Sequence, residues 1–395
     1  MENGQVLIRK RGADRIRRGH LWVYRSDVVQ AMNVEPGSIV TVREDGSTRS
    51  GKSAVVGKAF YSSQSQIALR FLVRGDRTID EEFIRKRFIG ATDLRDRLGI
   101  DPEFSRRIYS EGDFLPGLIV DRYGSVLVVQ SLAQGMDRLQ PLVVSILQEQ
   151  YRPRSILLRN DSKVRQLEGL PLKQEVIGDP IPDVLTVMED GKKIAVSLRA
   201  GQKTGAFLDQ RDNRRAARRY ARGRALDAFT YAGGFALHLS DVCNEVVAVD
   251  LSASAVKLAQ ANVDRNSLKN VRCVEANVFD YLRDQSAEGG RYDTIVLDPP
   301  AFAKNREQLP DALRGYKEIN NRAMRLLEDG GILITCSCSH HVSEGLFAEM
   351  LADAANDAGR WVRVLERRIQ APDHPVILTV PETLYLKCFI LEIRH

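Results

Sequence analysis

Ile295-Val296-Leu297-Asp298-Pro299-Pro300-Ala301-Phe302 and, further along the chain, Leu333-Ile334-Thr335-Cys336-Ser337-Cys338-Ser339 are the two most informative segments of this sequence. Each is an apolar run that ends in reactive side chains, which is how a buried parallel strand carries them to the carboxyl edge of an α/β sheet. The first run ends in a carboxylate and the second in thiols. This pair favours covalent attack on an electron-poor ring over hydrolysis or hydride transfer.

The length and the charge of the chain limit the classes of protein to which it can belong. The chain has 395 residues, and its 58 Lys and Arg against 52 Asp and Glu leave a net charge of only +6. That length predicts two or three domains of roughly 100 to 200 residues each. Clustered arginines are typical of proteins that bind phosphate-bearing partners. Five cysteines do not suit a disulfide scaffold, and no signal peptide or membrane helix is evident, so we expect a cytoplasmic protein.

The first segment, residues 1–74, has short strand-like runs separated by Gly and Pro turns, which predicts a small β-barrel. Its first loop is strongly basic. A solvated charged loop is the plain interpretation, but a nearby aromatic side chain favours contact with RNA. The residues predicted to bind RNA here are Arg9, Lys10, Arg11, Arg17, Arg18 and Trp22.

Residues 75–195 show an α+β pattern without a catalytic motif, whereas residues 196–395 alternate strands and helices as a doubly wound sheet does. The strands predicted in this third region are 224–229, 245–250, 271–275, 293–298 and 331–336. After them come a helix at 344–358 and two strands, at 361–367 and 385–393, that could close the sheet as an antiparallel pair.

The first three strands of this sheet end in polar groups that suit a nucleoside. The first turn has one glycine pair at Gly233 instead of G-x-G-x-x-G, and Phe229 and Tyr231 stand where small residues would receive a pyrophosphate. Asp250 ends the second strand, where an acid accepts hydrogen bonds from ribose hydroxyls, and Asn277 follows the third. Any one of these could be a helix cap. Together they predict adenosine without phosphates, and hence S-adenosylmethionine.

These residues resemble the class I S-adenosylmethionine-dependent methyltransferases, and more closely the ribosomal RNA large subunit methyltransferase I type. The matching motifs run nearly from end to end of the chain: 201–211, 231–235, 298–302, 314–317, 337–339 and 373–376. The resemblance implies an α/β, Rossmann-like methyltransferase domain at 196–395, with a seven-stranded sheet in the order 3, 2, 1, 4, 5, 7, 6. A PUA-like RNA-binding barrel (1–74) and a small α+β domain (75–195) would precede it.

The resemblance also implies the activity, which is methyl transfer from S-adenosylmethionine to C5 of a cytosine in large-subunit ribosomal RNA through a covalent cysteine adduct. The cofactor-binding residues that this implies are Thr204, Phe207, Asp209, Gln210, Asp227, Phe229, Tyr231, Gly233, Asp250, Leu251, Ser252, Asn277, Val278, Asp298 and Pro299.

The predicted chemistry needs a thiol, because C5 of cytosine is a poor nucleophile until a thiolate has added to C6. Cys338 matches the family's nucleophile by position. Asp298 would form a hydrogen bond with N3 of the ring or protonate it. Cys336 lies two residues earlier, where a buried hydrophobic role is expected. Some relatives carry a second cysteine where this chain has Pro300, so the base that removes the C5 proton stays unidentified. The target base must be flipped out, and Phe302 is a candidate stacking wall.

A second basic cluster precedes the first strand of the catalytic domain. Arginines recur there at intervals of three and four residues, with Asp212 the only acid between Arg211 and Arg224, which predicts a phosphate-binding helix face. The residues predicted to bind RNA in the catalytic domain are Arg214, Arg215, Arg218, Phe302 and Lys304.

Three alternatives stay open on sequence grounds. A zinc site at Cys336, Cys338, His340 and His341 lacks a second ligand cluster, so we expect no metal. The Asp-Pro-Pro tip could instead hold an exocyclic amine for N-methylation, which would not need Cys338. The chain could also be a non-catalytic RNA-binding assembly factor. The modified nucleotide, the state of the RNA substrate and a homodimer are left undecided.

Overall fold

The computed structural model describes residues 2–46, 54–199, 201, 203–303 and 305–395. The chain divides into two compact units. The first comprises Met1–Leu185, Ser197–Leu208 and Pro372–Thr383, and the second comprises Thr186–Val196, Asp209–Ala371 and Leu384–His395. This division differs from the three domains expected from the sequence, whose boundaries stay a prediction.

The first unit begins with a six-stranded sheet in the order β2-β6-β5-β4-β1-β3. Its strands are β1 (Glu2–Ile8), β2 (Trp22–Tyr24), β3 (Val28–Met32), β4 (Ile39–Glu44), β5 (Val55–Tyr61) and β6 (Ile67–Arg74). The basic segment that was predicted as a loop is instead a helix, α1 (Lys10–Arg17). It forms because Ala13 and Ile16, three residues apart, are buried with the sheet's core while the basic side chains stay outside.

A second sheet follows in the first unit, in the order β11-β10-β9-β8-β7. Its elements are α2 (Glu81–Arg97), β7 (Phe104–Tyr109), β8 (Leu118–Tyr123), β9 (Val126–Ser131), α3 (Gln134–Arg138), α4 (Gln140–Tyr151), β10 (Ser155–Asn160) and β11 (Lys173–Gly178). Asp80 caps the start of α2, because its side chain accepts a hydrogen bond from the Phe83 N–H. The helices pack their apolar residues against β8, β9 and β10.

The second unit alternates strands and helices. It begins with a hairpin of β12 (Leu185–Glu189) and β13 (Lys192–Val196), of which only Leu185 belongs to the first unit. There follow α5 (Arg211–Tyr220), β14 (Arg224–Ala228), α6 (Gly234–Leu239), β15 (Glu245–Asp250), α7 (Ala253–Arg265), β16 (Val271–Glu275), α8 (Val278–Ala287), β17 (Tyr292–Leu297), α9 (Leu309–Leu326), β18 (Leu327–Ser337), α10 (Glu344–Ala358), β19 (Trp361–Arg368) and β20 (Lys387–Arg394).

The seven strands β14–β20 form one sheet in the order β16-β15-β14-β17-β18-β20-β19. Numbered from β14, this order is 3, 2, 1, 4, 5, 7, 6, which confirms the predicted topology. The first five strands are parallel, and β20 runs antiparallel to β18 and β19. The parallel strands therefore deliver their carboxyl ends to one edge, where polar groups can meet.

Burial explains why these runs become strands. Ile295, Val296 and Leu297 are all fully buried, because helices cover both faces of a parallel sheet and leave no polar face. Apolar residues of α9 and α10 pack on one side of the sheet, and those of α5 and α6 on the other. Within the part of the chain that the structure describes, none of the helices could span a membrane.

Candidate active site

Four neighbouring strand ends in the second unit form the site. Ala228 of β14 pairs with Leu297 of β17, and Leu297 pairs with Thr335 of β18. Asp298 follows Leu297 directly, and Cys338 lies three residues beyond Thr335, so both reactive groups stand past the same sheet edge. The structure therefore brings together the two stretches from which the fold was predicted.

The turn after β14 has a strained backbone. Phe229 and Tyr231 adopt φ angles of +65° and +49°, and Gly233 has +83°. Side-chain-bearing residues rarely occupy this left-handed region, and clusters of them mark functional sites. Thr230 stabilises the turn because its hydroxyl donates a 2.5 Å hydrogen bond to Oδ2 of Asp227. The strained loop forms a cradle between β14 and α6.

Asp227 offers an acceptor inside this cradle. Its carboxyl is 1% exposed, and Oδ2 accepts hydrogen bonds from Thr230 and from the Ala236 N–H at 2.8 Å. Its other oxygen, Oδ1, has no hydrogen-bond partner in the described part of the chain. Burial raises the pKa of Asp227 to about 7, and the two hydrogen bonds lower it. A buried acceptor left unsatisfied costs about 1–3 kcal/mol, so a cationic ligand group would fit here.

The tip of β15 has groups that suit a nucleoside. Both carboxylate oxygens of Asp250 accept backbone N–H bonds at 2.9 Å, from Tyr231 and from Ser252, yet the side chain stays half-buried. Each oxygen retains a lone pair that ribose hydroxyls could use. Beside it Leu251 is 66% exposed, which leaves an apolar surface open to a planar base.

Two of the predicted cofactor residues, Ser252 and Asn277, cap helices in the structure. The Ser252 hydroxyl accepts from the Ala255 N–H at 3.3 Å and begins α7. The Asn277 side chain accepts from the Phe279 N–H at 2.9 Å and begins α8, where Val278 is buried. The simpler helix-cap interpretation therefore describes both of these side chains. Asn277 stays exposed at the edge.

Asp298 is oriented by a chain of amides. Nε2 of Gln210 donates to Oδ1 of Asp298 at 2.8 Å, and Nδ2 of Asn213 donates to Oε1 of Gln210 at 2.7 Å. Gln210 and Asn213 are buried, whereas Asp298 is half-buried. Gln210, predicted to touch the cofactor, thus holds the predicted catalytic carboxylate. The neighbouring Asp209 accepts from the Tyr385 hydroxyl at 2.5 Å.

Cys338 lies just beyond the end of β18, beside the end of β17. It is half-buried, and its Sγ lies 3.9 Å from the carbonyl oxygen of Pro299, itself a buried residue. The flanking serines fix the tip: Ser337 donates to the Tyr316 hydroxyl at 3.1 Å, and Ser339 lies 2.9 Å from the same hydroxyl. The sequence did not single out the Tyr316 side chain, although it lies in a matching motif.

Cys336 occupies the buried position expected for it. It is fully buried and lies opposite Cys388 of β20. Burial raises the pKa of the Cys336 thiol well above its ordinary value, and the Cys388 thiol adds to the shift. A thiol held neutral in this way is a poor nucleophile. The described residues contain no group of three or more His, Cys, Asp and Glu side chains arranged for a metal ion.

Phe302 belongs to an aromatic cluster beside the Asp-Pro-Pro turn. Its ring centroid lies 4.6 Å from that of Tyr316, 6.1 Å from Phe279 and 6.5 Å from Phe229. The side chain is half-buried, so part of the ring remains accessible. Lys304 lies outside the described residues.

The prediction of a phosphate-binding stripe on α5 is wrong for Arg214. Arg214 is buried, and Glu189 of β12 binds it with two hydrogen bonds of 2.7 and 2.6 Å. Arg215 is bound in the same way by Asp190, and Arg218 lies 3.3 Å from Asp241. Most of the acids that neutralise the stripe, Glu189, Asp190 and Asp241, come from distant parts of the sequence, so the scarcity of acids on α5 itself was misleading.

Two predicted cofactor residues belong to the first unit. Thr204 is fully buried, donates to the Asp121 carboxylate and lies 3.0 Å from the Tyr123 hydroxyl. The Thr204 hydroxyl therefore makes internal hydrogen bonds, and its contact with the cofactor stays a prediction. Phe207 is half-buried and stacks under the Lys203 ammonium at 4.4 Å.

The basic residues of α1 are only partly neutralised. Arg11 donates to Asp27 at 2.8 Å, Arg17 binds Asp14 and Glu44, and the Trp22 indole donates to Glu111 at 2.8 Å. The exposed members, with no ion pair in the described part of the chain, are Arg9, Lys10 and Arg18. An open cleft of about 620 Å³ is lined by Lys10, Arg11, Asp14, Arg15, Arg18, His20 and Thr379.

Comparisons with known proteins agree with this geometry. A family model described as S-adenosylmethionine-dependent methyltransferase matches residues 145–385, and one described as a PUA-like domain matches residues 6–74. Ribosomal RNA large subunit methyltransferase I of Erwinia tasmaniensis is 41% identical over 397 residues, covering 98% of each chain. The protein of the same name from Serratia proteamaculans is 42% identical over 386 residues, covering 95% of this chain and 96% of its own.

Solved structures share the fold over the whole chain. A candidate methyltransferase crystallised with S-adenosylhomocysteine has a TM-score of 0.83 at 20% identity and covers 98% of this chain and 99% of its own. A candidate S-adenosylmethionine-dependent methyltransferase from Streptococcus mutans has a TM-score of 0.81 at 19% identity, with the same coverage. At such identities the likeness concerns the fold alone.

Proposed function

The chain belongs to the ribosomal RNA large subunit methyltransferase I family of S-adenosylmethionine-dependent enzymes, and from this we propose that it methylates C5 of a cytosine in large-subunit ribosomal RNA. The observation that carries the proposal is the pairing of the Cys338 and Asp298 tips, with Sγ of Cys338 lying 3.9 Å from the Pro299 carbonyl. A thiol and a carboxylate at one opening suit attack on C6 together with support at N3.

The donor would bind at the β14 and β15 ends. The unpartnered Oδ1 of Asp227 fits the ammonium of the methionine part, and the Asp250 carboxylate beside exposed Leu251 fits ribose and adenine. When bound, S-adenosylmethionine supplies an electrophilic methyl group. Every other step falls to side chains of this protein.

In the proposed reaction the Cys338 thiolate forms a bond to C6, and Asp298 gives a proton to N3 as negative charge develops there. C5 is then nucleophilic and takes the methyl group. A base that we do not name removes the C5 proton, the C6–S bond breaks, and N3 returns its proton, so the thiolate and the aromatic ring are regenerated. The cleft along α1 would hold RNA phosphates through Lys10 and Arg18.

The test is methyl transfer by Cys338→Ala, with Cys273→Ser as the matched control because Cys273 is another half-buried thiol of this sheet. Labelled methyl groups on unmodified large-subunit RNA are measured, followed by digestion to identify the product nucleoside. We expect 5-methylcytidine from the wild type and the control, and a loss of about 10³-fold or more in Cys338→Ala. Retained turnover would instead favour N-methylation through the Asp-Pro-Pro tip.

A further inference from the structure

Lys387 is a buried cation at the start of β20, opposite the end of β18. We propose that its ammonium stabilises the Cys338 thiolate, which makes Lys387 a positioning residue for the nucleophile. This inference rests on the proposed function, because it assumes that Cys338 is the attacking group. Lys387 was not among the residues predicted from the sequence.

The strand pairing brings Lys387 to the nucleophile. Lys387 is the first residue of β20 and lies opposite Ser337 of β18 in the antiparallel register. Its Nζ donates hydrogen bonds to the carbonyl oxygens of Ser339 at 2.7 Å and Tyr385 at 2.9 Å. Lys387 thus contacts the residues on both sides of Cys338 in the sequence, by strand pairing at Ser337 and by a hydrogen bond at Ser339.

The partners of Lys387 leave its charge uncompensated. The side chain is 5% exposed, and within the described residues no carboxylate oxygen lies within 4.0 Å of Nζ. Burial of an ammonium without a carboxylate partner costs free energy. The two carbonyls accept two of its three N–H donors, which leaves the third available. Such a charge is useful beside a group that becomes anionic during the reaction, as a thiolate does.

Electrostatic coupling agrees with this arrangement. Burial lowers the pKa of Lys387 to about 8, and negative charge on Cys338 raises it. Coupling between two charges is mutual, so the ammonium in turn favours the thiolate form of Cys338. At neutral pH most Lys387 side chains remain protonated and can act in this way.

Several other described groups near the tip supply no positive charge. Asp298 on the β17 tip is acidic, and the Pro299 carbonyl near Sγ favours the neutral thiol. From α9 the Tyr316 hydroxyl bonds to the flanking serines, and Tyr385 directs its hydroxyl to Asp209. Cys336, deeper in β18, is held neutral by burial. Lys387 therefore supplies a charge that favours the thiolate.

The experiment measures the thiol itself, without RNA or methyl donor. Alkylation of Cys338 by iodoacetamide is followed against pH by peptide mass spectrometry in the wild type, Lys387→Met and Lys387→Arg. Lys58→Met, which removes a buried lysine of the first unit, is the matched control. We expect Lys387→Met to raise the alkylation midpoint by about one pH unit and to slow the reaction at pH 7 by about 10-fold. Lys387→Arg, which keeps the charge, should shift the midpoint much less, and Lys58→Met not at all.

An unchanged alkylation midpoint in Lys387→Met would overturn the proposal. Equal shifts in Lys387→Met and Lys387→Arg would also overturn it, because the hydrogen bonds of the lysine, and not its charge, would then account for the effect. If Lys387→Met does not fold, the wild-type midpoint decides: a value below the ordinary thiol pKa of about 8.5 supports the proposal, and a value above it overturns it. Methyl transfer by Cys338→Ala tests the proposed function separately, so the two failures are distinguishable.

Discussion

The side-chain amide of Gln210 donates a 2.8 Å hydrogen bond to Oδ1 of Asp298, and the buried Asn213 amide holds Gln210 in place. This hydrogen bond holds the Asp298 carboxylate in one orientation at the end of β17. A carboxylate with a fixed orientation can meet N3 of a ring without first losing rotational freedom.

We therefore expect Gln210→Leu to lower kcat by about 10- to 100-fold, because displaced supporting groups cost that much at comparable sites. Affinity for S-adenosylhomocysteine should change little. Steady-state methyl transfer and calorimetry measure the two quantities. Gln260→Leu, on the exposed side of α7, is the control. An unchanged kcat in Gln210→Leu would mean that Asp298 needs no such support.

Replacement of Asp227 by Asn should weaken donor binding and change its pH dependence. The pKa of Asp227 is raised to about 7, so wild-type affinity for the cationic ligand should increase as pH rises through 7 and the carboxylate forms. Asp227→Asn should bind at least about 10-fold more weakly at pH 8, with a flat pH profile. Calorimetry at pH 6 and pH 8 measures this, with exposed Asp264→Asn as control. Equal profiles would refute the ammonium contact.

The same substitution should stabilise the ligand-free protein at higher pH. In the unfolded chain an aspartate ionises near pH 3.9, whereas the folded group holds its proton up to about 7. Between these values the unfolded state loses its proton first, so wild-type stability falls as pH rises and levels off above 7. The melting temperature of Asp227→Asn relative to the wild type should therefore increase from about pH 4 to 7. A constant difference would show that Asp227 is not protonated in the fold.

Arg214→Ala should be a stability mutation and not an RNA-binding mutation. The buried guanidinium is bound by Glu189, so its removal leaves a buried carboxylate without its partner, at a cost of about 3–5 kcal/mol. Chemical denaturation measures the free energy of unfolding. Exposed Arg219→Ala, five residues further along the same helix, should cost less than about 1 kcal/mol. Weaker RNA binding at unchanged stability would restore the original interpretation of the stripe.

The α1 cleft should contribute to RNA affinity through phosphates. We expect Lys10→Ala combined with Arg18→Ala to reduce the slope of log affinity against log salt concentration by about 1.4–1.8, because each phosphate contact contributes about 0.7–0.9. The control removes two exposed charges from α2, as Lys86→Ala with Arg97→Ala. Filter binding at several salt concentrations gives the slopes. Equal slopes in both double variants would exclude the cleft as a specific RNA surface.

Local patterns predicted the catalytic sheet well and the partners of its charged residues poorly. Val246 and Ile295 lie in continuous apolar runs, and such runs identify buried strands with few alternatives. The order of the strands came from the resemblance to a family, since periodicity does not fix pairing. Arg214 seemed unneutralised because Glu189 precedes it by 25 residues and meets it only through the fold.

Lys387 and the Gln210 bond were missed for the same physical reason. The contact of Lys387 with Ser339 spans 48 residues and exists because β20 returns antiparallel beside β18. A signal was present, since Lys387 directly precedes the apolar run 388–391 of a predicted strand, and a lysine is rarely buried without a reason. Helix α1 was missed because it is short and carries many charges, so its two buried side chains gave little periodicity.

The most direct test of the account is covalent trapping on RNA that contains 5-fluorocytidine. After methyl transfer to such a base C5 carries no proton, so the C6–S bond cannot be broken by elimination and the protein stays attached. We predict a denaturation-resistant adduct with the wild type, dependent on S-adenosylmethionine and attached through the Cys338 peptide in mass spectrometry. Methyl transfer to cytosine without any trapped adduct, or an adduct that persists in Cys338→Ala, would contradict the account.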